Sequence, residues 1–287
     1  MNTTIEKDMI PATHRAPRRI DWAKVGSYAF LVIIALIYLG PLLMLVNTSF
    51  KSLGDFFRDP IGLPATLSFE NFTTAWSQAN FPRYLVNSFL YTVIATAIFV
   101  VTSLFVAFPV SRGYVRGGKI ILTLYVIALF LPPALIPQFQ LILNLGLYNS
   151  RIGYILLFLV NPIGIIILTN YMKSIPRELD ESAAMDGCGY LRFLVQIVLP
   201  LIRPAVATII VLHAIGIWNE LILATIYLTS ERLYPVTRGL IVFEGVYGSN
   251  WPALAAAVLM LTLPMVVLFI FLQRYIIAGL TEGSVKG

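Results

Sequence analysis

An all-α membrane protein of six transmembrane helices is the fold class that this sequence predicts. Three observations carry it. Of the 287 residues, 58% are hydrophobic and only 12% are charged, the mean hydropathy is +0.84, and the charges are spaced so that long runs between them hold none. A soluble domain has about 45–50% apolar and about 25% charged residues, so this chain belongs in lipid.

The charge-free gaps place the spans. They run over 25–50, 84–111, 120–150, 152–172 and 245–273, and a sixth apolar region over about 204–228 is interrupted only by His213 and Glu220. Each is long enough for the roughly 20 residues that a bilayer core requires. Residues 1–25 are polar and basic and are expected as a cytosolic N-terminal tail. Residues 26–83 hold the first span and an external segment, with Pro60, Gly62 and Pro64 as breakers and a short helix expected over Phe69 to Gln78. The transmembrane core is expected over 84–274, with an organised inside loop at about 173–203 and a C-terminal tail over 275–287. The outside segment 229–252, with its spaced glycines and prolines, is expected to fold back on itself.

Basic residues precede the first apolar run, as in a secretory signal. That run, Tyr28 to Val46, exceeds the roughly 7–15 residues of a signal core and no small-residue cleavage site follows before Phe50, so it is expected to remain as a span. Prolines stand inside several spans, at Pro41, Pro109, Pro132, Pro133, Pro137, Pro162 and Pro264. Each removes a backbone hydrogen bond and kinks its helix. Ordinary helix curvature is one reading, and bends lining a moving pathway at Leu131-Pro132-Pro133 and Asn161-Pro162 are the other.

The net charge of +6 is not gathered into one face, which argues against a nucleic-acid partner. Fourteen of the twenty Lys and Arg fall on one set of alternate segments and six on the other. Because cytosolic loops carry the excess, both termini are expected inside. The lone Cys188 excludes an intramolecular disulfide and, without clustered histidines, a zinc site. No catalytic constellation is present. The run Gly113-Tyr-Val-Arg-Gly-Gly118-Lys119 imitates a phosphate-binding loop but lacks its Ser or Thr at Ile120 and joins two spans, so this chain is not expected to bind a nucleotide itself.

Two segments carry candidate function. In the inside loop, Pro176 can open a helix, Glu178, Asp180 and Glu181 suit its positive end, and Gly187 is placed to end it. This predicts a helix of about 11 residues lying along the membrane, with Leu179, Ser182, Ala183 and Asp186 as a narrow stripe. A second helix over about Tyr190 to Leu199 is expected to stop at Pro200, and Pro204 to start the fifth span. In that span Glu220 lies about 24 Å from the inner end at 1.5 Å per residue. An intramembrane acid beside Trp218 and Asn219 either pairs structurally or marks a pathway or gate. His213, two turns earlier, reads as a hydrogen-bonded packing residue.

The run Glu181-Ser182-Ala183-Ala184-Met185-Asp186-Gly187, followed by Ile197-Val198-Leu199-Pro200, resembles the EAA loop of binding-protein-dependent ABC importer permeases. Ser182 stands where that family most often has alanine. Asn87-Ser88, Trp218-Asn219-Glu220-Leu221 and the closing run from Gln273 are similar to the carbohydrate branch, the maltose-permease-like inner-membrane subunits. The resemblance implies an ABC type I importer permease fold in the cytoplasmic (inner) membrane, with a cytosolic coupling helix docked on an ATP-binding subunit. Glu181 and Asp186 would make polar contacts there, Ala183 and Gly187 would allow close approach, and Leu199 and Pro200 would complete the coupling motif. Gly279, Thr281 and Gly283 would touch the same subunits. It further implies a second permease subunit, two cytosolic ATP-binding subunits that carry ATP and Mg²⁺, an external solute-binding protein, and a sugar or oligosaccharide as solute. A non-sugar solute such as glycerol phosphate, or an ion-gradient-driven secondary transporter, are the alternatives.

Overall fold

The computed structural model describes residues 22–78, 80–245 and 248–284. They fall into two compact units, which divide between Met44 and Leu45. The first holds most of α1 (Trp22–Ser49), whose stretch Lys24–Ser49 is long and apolar enough to cross a membrane; Pro41 sits inside the helix without ending it.

The second unit begins with an organised loop. Lys51 is buried and its Nζ donates to the carbonyls of Asp59 (2.7 Å) and Pro60 (3.0 Å), closing the chain around α2 (Leu53–Arg58). Asn71 Nδ2 ties α3 (Glu70–Gln78), the short helix expected here, to the carbonyls of Ser49 and Lys51. This segment thus belongs to the same compact unit as the core that follows it.

The central element is α4 (Phe81–Arg112), an unbroken 32-residue helix. Tyr84, Ser88, Tyr91, Ala95, Phe99, Ser103 and Ala107 are buried, while Val86, Phe89, Val93, Val101 and Phe105 are exposed. The packed face combines aromatic rings with small and polar side chains that let neighbouring helices approach, and the outward face is aliphatic and aromatic, which lipid solvates as well as a protein core does. Against α4 pack α8 (Pro162–Lys173) and α12 (Arg203–Trp218), and α12 packs on α15 (Trp251–Ser284).

The described residues hold three uninterrupted helices fit to span, Lys24–Ser49, Phe81–Arg112 and Trp251–Gln273, and a fourth span if a bent pair is counted as one. The spans expected over 120–150 and 152–172 are not continuous. The first divides into α5 (Gly118–Ala128) and α6 (Leu135–Asn144) around Pro132-Pro133, the second into α7 (Arg151–Leu156) and α8 at Asn161-Pro162. Two adjacent prolines remove two donors at once. At the second break Asn161 turns its Oδ1 onto the N–H of Gly164 (3.2 Å) and so caps a new helix instead of continuing the old one. Curvature alone therefore does not describe these prolines, whereas Pro109 and Pro264 do stay inside unbroken helices.

The 173–203 loop forms α9 (Glu178–Met185) and then α10 (Tyr190–Phe193), which does not stop at Pro200. A π-helical turn over Leu194–Val198 carries it into α11 (Leu199–Leu201). The wide turn, with Leu199 N–H bonded to the Leu194 carbonyl, accommodates the proline ring that would otherwise strike the carbonyl four residues back. The chain then bends by 82° at Ile202 into α12.

After α12 come α13 (Ile222–Tyr227), α14 (Val236–Gly239) and a two-residue antiparallel pairing of Glu244–Gly245 with Gly248–Ser249, so segment 229–252 does fold back. α15 continues to Ser284, and the backbone expected as a tail from 275 is helical that far. The N-terminal tail to residue 21 and residues 285–287 lie outside the described residues.

One close approach fixes α8 on α4. A Cβ added at Gly164 would come within 2.5 Å of Phe99 Cζ, and the Phe99 ring cannot swing away because it stacks on His213 with centroids 4.1 Å apart. Gly164→Ala is therefore expected to destabilise the fold by about 1–3 kcal/mol through overpacking, seen as a lower melting temperature of the purified protein in detergent.

Candidate functional site

The first carbonyl of α9 to accept a backbone hydrogen bond is that of Arg177, so Pro176 stands outside the helix and α9 has eight residues rather than about 11. Glu178, Asp180 and Glu181 occupy its first turn, where the helix dipole favours them. At the other end Gly187 adopts a left-handed φ of +68°. Its N–H bonds the Ala184 carbonyl (3.1 Å) and the next N–H, of Cys188, reaches back to Ala183 (2.9 Å). Those paired bonds are a Schellman cap, and they need a residue free of Cβ strain at Gly187.

The helix has two unlike faces. Glu181, Ser182, Asp186 and Gly187 lie on the open face, together with Met185, which is 89% exposed. Ala183 is only 6% exposed and sits in the same apolar cluster as Phe108, Ile175 and Phe193. Its small size fits the loop to its own bundle, which corrects the expectation that it faces outward for close approach. Leu199 and Pro200 also lie apart from the open face; they are half-buried at the elbow, with Leu199 packed on that same cluster. Met185 went unremarked in the sequence, where a methionine beside two alanines carries no pattern of its own.

What fastens α9 to the membrane helices is a buried ion pair. Arg112, the last residue of α4, is 4% exposed. Its Nη2 donates to Asp180 Oδ1 (2.9 Å), its Nη1 to the Ile175 carbonyl (2.8 Å), and its Nε lies 2.8 Å from Asp180 Oδ2 as a charge contact without hydrogen-bond alignment. Tyr114 donates its hydroxyl to the same carboxylate (3.2 Å), and Arg177 donates to the Arg112 carbonyl (3.3 Å). Burial, then the Asp180 charge, push the Tyr114 phenol above its usual range. From the sequence Arg112 marked only sidedness and Asp180 only a helix start. Nothing in their 68-residue separation joins them.

The opposite end of α4 is fastened as firmly. Asn80 Nδ2 (2.8 Å) and the Tyr84 hydroxyl (2.7 Å) donate to Glu231, which holds that exposed carboxyl below its usual pKa. Asn87 Nδ2 donates to the carbonyls of Arg232 (2.9 Å) and Tyr234 (3.0 Å), Tyr91 to that of Leu233 (2.8 Å), and Ser88 Oγ accepts from Val236 N–H (2.8 Å). Asn87-Ser88 therefore anchors the 231–236 loop to α4.

Trp218 is buried against α15, its Nε1 donating to the Leu261 carbonyl (3.1 Å). Asn219 and Glu220 stand at the break between α12 and α13. Glu220 Oε1 accepts from Leu223 N–H (2.9 Å), and Asn219 Nδ2 donates to Ile215 (3.0 Å). The three are thus a helix junction, with the acid capping α13. His213 Nδ1 lies 3.3 Å from Asn161 Nδ2. Since Asn161 Oδ1 already serves Gly164, the amide donates and Nδ1 accepts, bridging α12 to the break before α8. Gly279 and Gly283 lie in the helical extension of α15; the side chain of Thr281 is outside the described residues. No group of His, Cys, Asp and Glu able to hold a metal occurs among the described residues.

Comparison with known proteins gives this geometry its context. Residues 72–282 match the family described as binding-protein-dependent transport system inner membrane component. The probable ABC transporter permease protein YurM of Bacillus subtilis (strain 168) is 34% identical over 94% of this chain and 92% of its own length. The melibiose/raffinose/stachyose import permease protein MelC of the same organism is 32% identical over 89% and 94% respectively. Among solved structures, a bacterial ABC transporter involved in import of the acidic polysaccharide alginate has a chain that superposes with a TM-score of 0.81 at 25% identity, covering 93% of this chain and all of that one. With a matching family that takes in α9, both ends of α4 and the α12–α13 junction, and with relatives aligned along nearly their whole length, this chain belongs to the binding-protein-dependent inner-membrane permeases of ABC transporters.

Proposed function

We propose that this chain is one of two permease subunits of an ATP-driven importer for an oligosaccharide, coupled through α9 to ATP hydrolysis on separate subunits. The observation that carries the reading is a short helix with an open face, held by a buried ion pair on the end of a helix long enough to cross the bilayer. The named relatives point to sugars: one is an import permease for melibiose, raffinose and stachyose, another is the arabinooligosaccharide permease AraQ of Bacillus subtilis (strain 168), 30% identical over 92% of this chain.

In this reading the six spans are α1, α4, α5–α6, α7–α8, α12–α13 and α15, three of them broken, with both termini and α9 in the cytosol. Residues 84–274 form the translocating core, flanked by the first span with its external segment and by terminal segments 1–25 and 275–287. Glu181, Ser182, Met185, Asp186 and Gly187 meet a groove on an ATP-binding subunit, with the flexible Met185 thioether as the adaptable apolar contact. The end of α15 around Gly279, Thr281 and Gly283 reaches the same subunits. ATP-driven closure pulls α9 inward. Because Arg112 makes α9 and α4 one body, the pull passes along about 48 Å of helix to the loop held by Asn80, Tyr84, Asn87, Ser88 and Tyr91. An external solute-binding protein docks on that loop, and coupling of this kind runs in both directions. Glu220 stays a junction residue, which weighs against an ion-gradient carrier, where intramembrane charges should be several.

The test is purification of the tagged chain from its native membrane. Recovery with a second permease and an ATPase whose rate rises when sugar-loaded binding protein is added is the expected outcome. Uptake by the chain alone in vesicles, without any ATPase, would refute the reading.

A further inference from the structure

We propose that Arg151 and Arg232 form an anion socket on the outer face, which takes a carboxylate side chain of the docked solute-binding protein. The proposal rests on the importer reading above and names a contact that reading leaves open. A cavity of about 390 Å³ is lined by Asn149, Arg151, Ser230, Arg232 and Leu233. Its charged lining is two arginines, Arg151 and Arg232. Asn149 Oδ1 already accepts from the N–H groups of Thr229 and Ser230 (2.9 Å each), so its amide is left to the cavity as a donor.

The acid beside Arg232 in sequence does not neutralise it, because Glu231 is held instead by Asn80 and Tyr84. Among the described residues neither arginine has a carboxylate within ion-pair distance. One residue nevertheless holds the Arg151 side chain and the Arg232 backbone. Asn87, 1% exposed on α4, accepts from Arg151 Nη2 (3.2 Å) through its Oδ1 and donates to the Arg232 carbonyl (2.9 Å) through its Nδ2. One guanidinium is thus held and the backbone that carries the other is pinned, which lowers the ordering cost of binding an anion.

The chemistry favours a protein carboxylate over a passing acidic saccharide. Both arginines are exposed at the rim, and beneath them Tyr91 is buried, bonded to the Leu233 carbonyl and packed on Tyr154 with ring centroids 4.9 Å apart. Neither ring lines the cavity, whose wall comes from the loop before α7, the first residue of α7 and the 230–233 turn. A rim charge pair of this kind sets register and speeds encounter.

The experiment measures the concentration of sugar-loaded binding protein that half-maximally stimulates ATP hydrolysis by the reconstituted complex, using a neutral oligosaccharide. In Arg151→Gln/Arg232→Gln it should rise about five- to tenfold, with a flatter dependence on salt, and Lys at both positions should recover most of the affinity. Arg232→Glu alone gives the same reading should the double variant fail to assemble, since the backbone carbonyl of Arg232, not its side chain, is what Asn87 holds. An unchanged half-maximal concentration overturns the proposal, as does a defect confined to acidic oligosaccharides. Absence of stimulation in the unaltered complex would instead count against the importer reading.

Discussion

Asp180→Ala is expected to abolish uptake and to destabilise the protein by about 3–5 kcal/mol, because it strands the Arg112 guanidinium in a site where it is 4% exposed. The remaining Ile175 carbonyl satisfies one donor but supplies no counter-charge. The loss should appear as a lower melting temperature in detergent and a smaller yield of folded protein. A second variant separates stability from transmission. Replacing the pair together, as Arg112→Met/Asp180→Leu, removes both charges and should regain much of the stability, since apolar residues of similar volume often replace a buried ion pair without cost. Uptake should stay low in that variant, because α9 has lost the polar bonds that make it move with α4. Full recovery of uptake would mean that packing alone joins the two, and the clamp assigned to Arg112 would be wrong.

The second large effect is expected at Gly187. A β-branched residue at its φ of +68° costs about 1–2 kcal/mol and opposes the Schellman cap, so Gly187→Val should fray the end of α9. Among the described residues nothing beyond the adjoining backbone lies within 4 Å of a Cβ built there, so insertion and packing of the bundle should survive. Stimulated ATP hydrolysis and uptake should fall together by at least tenfold while the amount in the membrane is unchanged, by analogy with a docking contact whose loss is worth about 1.4 kcal/mol or more. Gly187→Asn should do less damage, because asparagine tolerates the left-handed region. Equal uptake in the valine variant would remove α9 from the coupling path.

Local signals in the chain foretold much of this. Gly187 was readable as a helix end because few other residues accept that backbone, and the short helix over 69–78 and the folded-back outer segment followed from breaker spacing. The prolines at 132, 133 and 162 marked where helices bend, although not that they break outright. Pro200 misled for a physical reason: a π turn just before it removes the clash that should have ended the helix. Ala183 misled for another. A stripe of small residues says that something packs closely, and here the something is the chain's own core.

Composition and charge spacing were enough to put this chain in lipid, and one loop motif was enough to indicate its family, since both are properties of contiguous residues. The pairing of Arg112 with Asp180, the hold of Asn87 on the Arg151 side chain and the Arg232 carbonyl, and the inward turn of Ala183 belong to the folded molecule alone. Each joins residues that are distant along the chain or depends on which way a helix is rolled. An ion pair across 68 positions has no periodicity to betray it, and only the packing of α4 against α8 and α12 brings its halves within 3 Å.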